Sequence, residues 1–275
     1  MPKLRIIPII LLKNGRVVQS KNFNRHQVLG TPSVIVGRLS NWCADEVIYL
    51  DISRDSQYDL NRDDLNFKNN NSILSIIKEV SENCFMPFTV GGGIKTIQDI
   101  EDRLAAGADK VSINSQAISD PKYISECARI FGSQCIVVSM DVKKISQSCW
   151  EVYANYGKDS TNHSPTELAV KYQEHGAGEI LLNSIDKDGA GTGYDLPLVK
   201  SVVDAVSIPV IAQGGVGKWE HFQECIDFAK PSAVAAANIF QYTENSYFNA
   251  NEYLYENSYD VRKPTLNTII ETAEN

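Results

Sequence analysis

Across 275 residues the chain has no apolar run approaching the ~18 that a membrane-spanning helix requires, which argues against a membrane span. It has no CxxC pair: Cys43, Cys84, Cys127, Cys135, Cys149 and Cys225 stand singly, and no Cys/His spacing suits zinc. They read as reduced thiols, and with them a cytoplasmic location is expected. Histidine is scarce, and His26, His163, His175 and His221 are too dispersed to suggest a metal site or a catalytic triad. Positive charge is short as well, 26 Lys and Arg against 34 Asp and Glu, and the resulting −8 argues against nucleic acid or an anionic membrane as partner. No P-loop is present, and no GxGxxG follows the first apolar run. Lys3 and Arg5 precede the apolar residues 6–12 as in a signal peptide. That run is short, however, and ends in Lys13-Asn14-Gly15-Arg16 with no small-residue cleavage site, so a buried first strand is the better expectation.

What is present is a recurring pattern. Continuous or nearly continuous apolar stretches occupy residues 6–12, 46–52, 86–90, 110–114, 134–141, 179–184, 208–213 and 232–237, as parallel strands buried on both faces should. Amphipathic segments such as 72–83, 96–106, 121–131 and 167–175 lie between them. Asp120-Pro121 and Ser164-Pro165 each read as a cap followed by proline at the first helical position. Eight strands alternating with about eight helices predict an α/β fold, the (β/α)8 or TIM barrel. The sequence also echoes itself at half length: Phe88-Thr-Val-Gly-Gly-Gly-Ile94 returns as Val210-Ile-Ala-Gln-Gly-Gly-Val216, and Asp109-Lys-Val-Ser-Ile-Asn114 returns more weakly as Ala233-Val-Ala-Ala-Ala-Asn238. Two pseudo-symmetric half-barrels are therefore expected. The expected organisation is a single barrel over 1–262 and a C-terminal tail over 263–275. A long Asp/Asn-rich loop at 53–71 leaves the second strand, either over the active-site face or as a surface excursion. The alternation Trp150-Glu-Val-Tyr153 suggests a small hairpin.

The glycine turns Gly92-Gly93 and Gly214-Gly215 fall where strands three and seven end, each ahead of a helix, and backbone N–H groups there suit a phosphate. Strands four and eight end at Asn114-Ser115 and Asn238, whose side chains can donate to the same anions. Asp188-Gly189, after strand six, sits in the turn beside the second cluster. A lone glycine turn is ordinary turn chemistry, whereas a matched pair in matched halves implies a substrate with a phosphate at each end. Asp141 ends strand five, at the face where barrel enzymes place catalytic groups, and reads as a general acid or base. The plainer alternative is a helix cap or a salt-bridge partner. The half-barrel repeat sets Leu11 at the position matching Asp141, an aliphatic residue where symmetry would allow a second carboxylate. At the opposite face Arg5, Glu46, Lys110 and Glu179 mark strand starts and alternate in sign, either as solvated strand ends or as a closed ring plugging the axial opening. Asp51 and Asp186 are further carboxylates near the top.

Over roughly residues 3–262 the chain resembles the cyclase subunit of imidazole-glycerol-phosphate synthase. The segments that carry the resemblance, beyond the first glycine turn, are Lys13-Asn-Gly-Arg-Val-Val18, Gly107-Ala-Asp-Lys-Val-Ser-Ile-Asn114, Phe131-Gly-Ser-Gln134, Gly176-Ala-Gly-Glu-Ile-Leu-Leu182, Ser184-Ile-Asp-Lys-Asp-Gly189 and Gly217-Lys-Trp-Glu-His-Phe222. The resemblance implies a histidine-biosynthesis barrel that works with a class I glutaminase subunit docked at its N-terminal face. Ammonia from glutamine, with no bound cofactor, would pass through the core to a bisphosphorylated ribosyl substrate above. It implies that Arg5, Glu46, Lys110 and Glu179 are the ammonia gate and that Asp109 lies at the docking surface. Gly93, Asn114 and Ser115 would hold one phosphate, and Gly189, Gly215 and Asn238 would line the other site. The departure is at the chemistry, because the family uses two aspartates; Asp141 matches one and Leu11 replaces the other. Asn183 and Gln213 stand where small hydroxyl residues are expected, and Gln19 where a lysine is. A retained gate with an impaired cyclase pair is similar to the paralogues found with surface-polysaccharide genes. The leading expectation is therefore ammonia supply for amidination of an acetamido sugar, with a separate ATP-dependent amidotransferase as a further partner. A genuine cyclase subunit is the alternative, and a non-catalytic barrel that activates a glutaminase is a third.

Overall fold

A computed structural model describes residues 3–266 apart from 22, 24, 54–57 and 59–71. The loop expected at 53–71 thus lies outside the described residues except at Ser53 and Tyr58, as does the tail beyond 266. Among the described residues twelve strands are formed: β1 (Arg5–Lys13), β2 (Arg16–Lys21), β3 (Arg25–Gly30), β4 (Val47–Asp51), β5 (Phe88–Gly91), β6 (Lys110–Ile113), β7 (Ile136–Ser146), β8 (Cys149–Ala154), β9 (Asp159–Ser160), β10 (Glu179–Ser184), β11 (Val210–Gln213) and β12 (Ala233–Ala236). Eight of them, β1, β4, β5, β6, β7, β10, β11 and β12, pair in parallel in that order, and β12 returns to β1 with Arg5 opposite Ala233. The sheet is closed, as the alternating pattern predicts.

Helices α1 (Pro32–Asn41), α2 (Ile73–Ser81), α3 (Ile97–Ala105), α4 (Ser115–Ser119), α5 (Lys122–Phe131), α6 (Pro165–Glu174), α7 (Leu196–Ala205), α8 (Glu220–Ala229) and α9 (Ser246–Glu256) lie between and after the strands. Local chemistry sets their starts. Thr96 Oγ1 accepts from the Asp99 N–H at 3.2 Å while Asp99 accepts from the Thr96 N–H at 2.8 Å, a reciprocal cap at the head of α3. Ser164 caps α6 ahead of Pro165. Asp120 likewise caps α5: its carboxylate accepts from the Lys122 N–H at 3.1 Å, and Pro121 between them already has helical φ and ψ. Among the described residues no helix is long and apolar enough to cross a membrane.

Because strand side chains alternate, β1 splits its apolar run between two cores. Ile7, Ile9 and Leu11 join Ile48, Val137, Leu181, Ile211, Ala233 and Ala235 inside the barrel. Ile6, Ile10 and Leu12 pack outward with the helices. In that outer layer Tyr49 meets Phe88 edge-on at 5.2 Å and donates to the Pro32 carbonyl, so its buried hydroxyl is satisfied.

The two half-barrels show a feature beyond the repeated motifs. Their first strands, β1 and β7, are each extended by antiparallel strands at the C-terminal face, β2–β3 and β8–β9. The Trp150 hairpin matches expectation, with β8 antiparallel to β7. The β2–β3 extension was not anticipated, although its turn is legible: Asn14 (φ 49°) and Gly15 (φ 75°) both take the left-handed conformation that a two-residue hairpin turn needs.

Candidate active site

The inward positions at the strand starts bring four charges together. Arg5 Nη1 lies 2.6 Å from Glu46 and 3.2 Å from Glu179, and Lys110 Nζ lies 3.0 and 3.2 Å from the same two carboxylates. The four close a ring across the N-terminal opening, which settles the choice left open above: Glu46 is 2% exposed and is no solvated strand end. Burial alone would lower the Arg5 pKa, but Glu179 and Glu46 outweigh it and raise it above the ordinary arginine value. Asp109 is exposed at this face, where its carboxylate accepts from the Phe88 N–H at 2.8 Å and pins the start of β5.

Above the ring the interior is mostly apolar, with one polar line on neighbouring strands. Thr89 donates to Glu46 at 3.2 Å. Ser112 and Ser139, on β6 and β7, are buried and reach the floor of a cavity of about 660 Å³ at the C-terminal face. Asp141 stands on that floor. Asn114 donates to one of its oxygens and Asn183 to the other, each at 2.9 Å. Burial pushes the Asp141 carboxyl up to about 6; the two amides pull the other way, and the nearby Asp188 adds to the rise. A carboxyl poised there exchanges protons near neutral pH, as a general acid or base must. Across the barrel on β1, Leu11 is aliphatic, and the titratable groups lining the cavity on that side are Lys13, His26 and Asp51.

The two candidate anion sites differ in this structure. Gly92, Gly93 and Ser115 line the cavity, with Gly93 and Ser115 exposed to it. Gly92 has φ 104°, and a Cβ there would sit 2.1 Å from the Asp51 carbonyl oxygen, so the chain passes where no side chain fits. Asn114, expected at this phosphate, has its amide on Asp141 instead. In the second half Gly214 and Gly215 are buried, and at Gly215 a Cβ would meet the Gly193 carbonyl oxygen at 2.2 Å. Asn238 donates to the Ser20 carbonyl at 2.7 Å, and Asp188 accepts from the Ser20 hydroxyl at 2.8 Å and the Phe23 N–H at 3.1 Å. Those two residues hold β2 down over Gly189, whose Cβ position lies 2.5 Å from the Ser20 carbonyl oxygen. Asp186 accepts from the Lys144 N–H outside the main cavity, and Asp51 accepts from Tyr58.

Arg103 was missed from sequence. It is 6% exposed in α3, its Nη2 donates to the Gly92 carbonyl at 2.9 Å, and Nη1 donates to the Asp99 carbonyl. A cation is thus fixed beneath the first glycine turn. Its signal was an arginine three residues after Ile100, on the buried face of an amphipathic helix.

Fold and site together define a (β/α)8 barrel with a charge ring at one mouth and a carboxylate-floored cavity at the other. The chain belongs to the histidine biosynthesis protein family, whose model matches residues 5–246. It is 44% identical over 258 residues to the protein of Hydrogenobaculum sp. (strain Y04AAS1) named imidazole glycerol phosphate synthase subunit HisF, covering 94% of this chain and 98% of that relative.

Proposed function

We propose that this HisF-like chain is the cyclase subunit of an imidazole-glycerol-phosphate synthase, taking ammonia from a class I glutaminase docked on its N-terminal face. The observation that carries the reading is the stacking of charge ring, hydroxyl line and Asp141 along one barrel interior. Ammonia enters past Arg5, Glu46, Lys110 and Glu179, follows Thr89, Ser112 and Ser139, and emerges beside Asp141. A substrate phosphate rests on the Gly92-Gly93 turn and Ser115, with the Arg103 charge behind them. The second phosphate belongs at Gly189, Gly214, Gly215 and Asn238, which requires the Ser20 segment to lift away. Asp141 carries the protons of ring closure. Support for the docking face comes from exposed apolar side chains near the strand starts and helix ends there: Phe85 (88% exposed), Ile130, Phe228 and Tyr255.

The relative's name favours this reading over the sugar amidination that Leu11 suggested. Leu11 nevertheless supports amidination as a second reading, with a separate ATP-dependent enzyme activating an acetamido sugar, because one carboxylate serves where two are expected. Complementation separates the two. Expression in a histidine auxotroph lacking its own cyclase, together with the cognate glutaminase, restores growth under the first reading. Failure of well-folded protein to do so, with retained binding of an acetamido sugar or its nucleotide, favours the second.

A further inference from the structure

Each glycine turn is held by a side chain at the matching position of the helix that follows it. Asp99 and His221 stand seven residues after Gly92 and Gly214, the paired glycines of the half-barrel repeat. Both reach back over the same four-residue span: Asp99 accepts from the Lys95 N–H at 3.0 Å, and His221 Nδ1 accepts from the Gly217 N–H at 3.1 Å. A backbone N–H can only donate, so Nδ1 presents its lone pair and the imidazole is neutral with its proton on Nε2.

The second turn has the greater need of such support. Gly191 and Gly193 lie flat against Gly215 and Gly217: the Gly193 N–H donates to the Gly215 carbonyl at 2.8 Å, and a Cβ on Gly217 would stand 2.6 Å from the Gly191 carbonyl oxygen. Backbone packs on backbone there, and glycine loses more conformational freedom on ordering than any other residue. His221 fixes both segments. Its hydrogen bond holds Gly217, and its ring backs onto Gly193, with Cδ2 3.5 Å from where a Cβ there would stand. His221 is itself buried, and the adjacent Phe222 stacks with Trp219 and Phe240, which anchors the start of α8.

We infer that His221 is the positioning residue of the second phosphate site, setting the backbone N–H groups of Gly214 and Gly215 at the geometry an anion needs. The role rests on the reading that a phosphate binds this turn. His221 acts through the turn and touches no substrate. Unlike Asp99 it works only as a neutral ring, because a proton on Nδ1 would face the Gly217 N–H. Burial lowers its pKa; Glu224 and Glu220 on its own helix oppose this, while Lys218 and Lys187 add to the lowering. The positive end of α8 also disfavours the imidazolium. The two ends of the substrate are thus held by turns of different pH response, the first steady and the second loosened in acid.

Backbone amide signals of Gly93 and Gly215, followed by nuclear magnetic resonance in the full chain, report the two turns separately. Inorganic phosphate is the probe, so no turnover is needed. In the parent both signals should move saturably. His221→Ala should weaken the Gly215 response by roughly fivefold, the effect of one lost hydrogen bond, and leave Gly93 unchanged. His221→Asp installs the acceptor that the first turn already uses and should restore the response. As pH falls below 6.5, the Gly215 response should weaken more in the parent than in His221→Asp; the ionisation of phosphate is common to both and cancels. An undiminished Gly215 response in His221→Ala, an equal loss at Gly93, or no restoration by His221→Asp overturns the inference and leaves the phosphate reading standing. No movement of Gly215 in the parent overturns the second phosphate site itself, and this role with it.

Discussion

Replacing Asn114 by alanine removes one of the two amides that face the Asp141 carboxylate, and the size of the effect follows from the structure. The carboxyl sits at about 6 because burial raises it while Asn183 and Asn114 hold it down. A hydrogen bond to a charged group contributes about 1.5–3 kcal/mol. At 1.36 kcal/mol per pH unit its loss moves Asp141 up by about 1–2 units, to roughly 7–8. Stability responds in a fixed direction. The folded value already exceeds the unfolded one, so the folded chain keeps a proton that the unfolded chain loses as pH rises from about 4 to 6. Stability is therefore lost with rising pH across that window, by up to about 3 kcal/mol, and Asn114→Ala extends the loss toward neutrality. The assay is a carbon-13 carboxyl titration, with Asp141 assigned by its absence in Asp141→Asn, beside urea melts at several pH values. An Asp141 that titrates unchanged or lower in Asn114→Ala would refute the account of how the site is poised.

Other substitutions test other parts. Glu46→Gln leaves Arg5 and Lys110 sharing Glu179 alone, and should cost about 3 kcal/mol in a urea melt, the low end for breaking a buried pair because both cations are partly exposed. Gly92→Ala forces a backbone shift where the Cβ would lie 2.1 Å from a carbonyl oxygen, and should lower stability by about 2 kcal/mol or more while weakening phosphate binding measured by calorimetry. Trp150→Phe removes the indole donor to Asp195, which also caps α7, and should cost about 1 kcal/mol in the same melt. An unchanged midpoint in any of these would count against the corresponding contact.

The barrel was legible because its strands are buried on both faces, which leaves continuous apolar runs such as residues 6–12 and 179–184. The charge ring was legible in part: alternating signs at strand starts marked its members, while their closure depends on strand order and register. The β2–β3 extension escaped notice because Arg16-Val-Val-Gln-Ser-Lys21 is short and mixed, and only Asn14-Gly15 announced it. Partners at the site were not legible at all. Asn114 and Asn183 look alike in sequence to any donor near a phosphate, and only register shows both turned onto Asp141. Asn238 and Asp188 likewise bind Ser20, a contact across 218 and 168 residues that no local pattern encodes.

The most direct test of the proposed function is ammonia-dependent turnover of the bisphosphorylated ribosyl substrate by this chain alone, beside Leu11→Asp. The account predicts measurable cyclisation by the parent through Asp141, and a rise of roughly 100-fold when the second carboxylate is supplied, the lower range for a positioned acid or base. No turnover by a well-folded parent would contradict it, and an active Leu11→Asp beside that inactive parent would show a barrel diverted to another nitrogen acceptor.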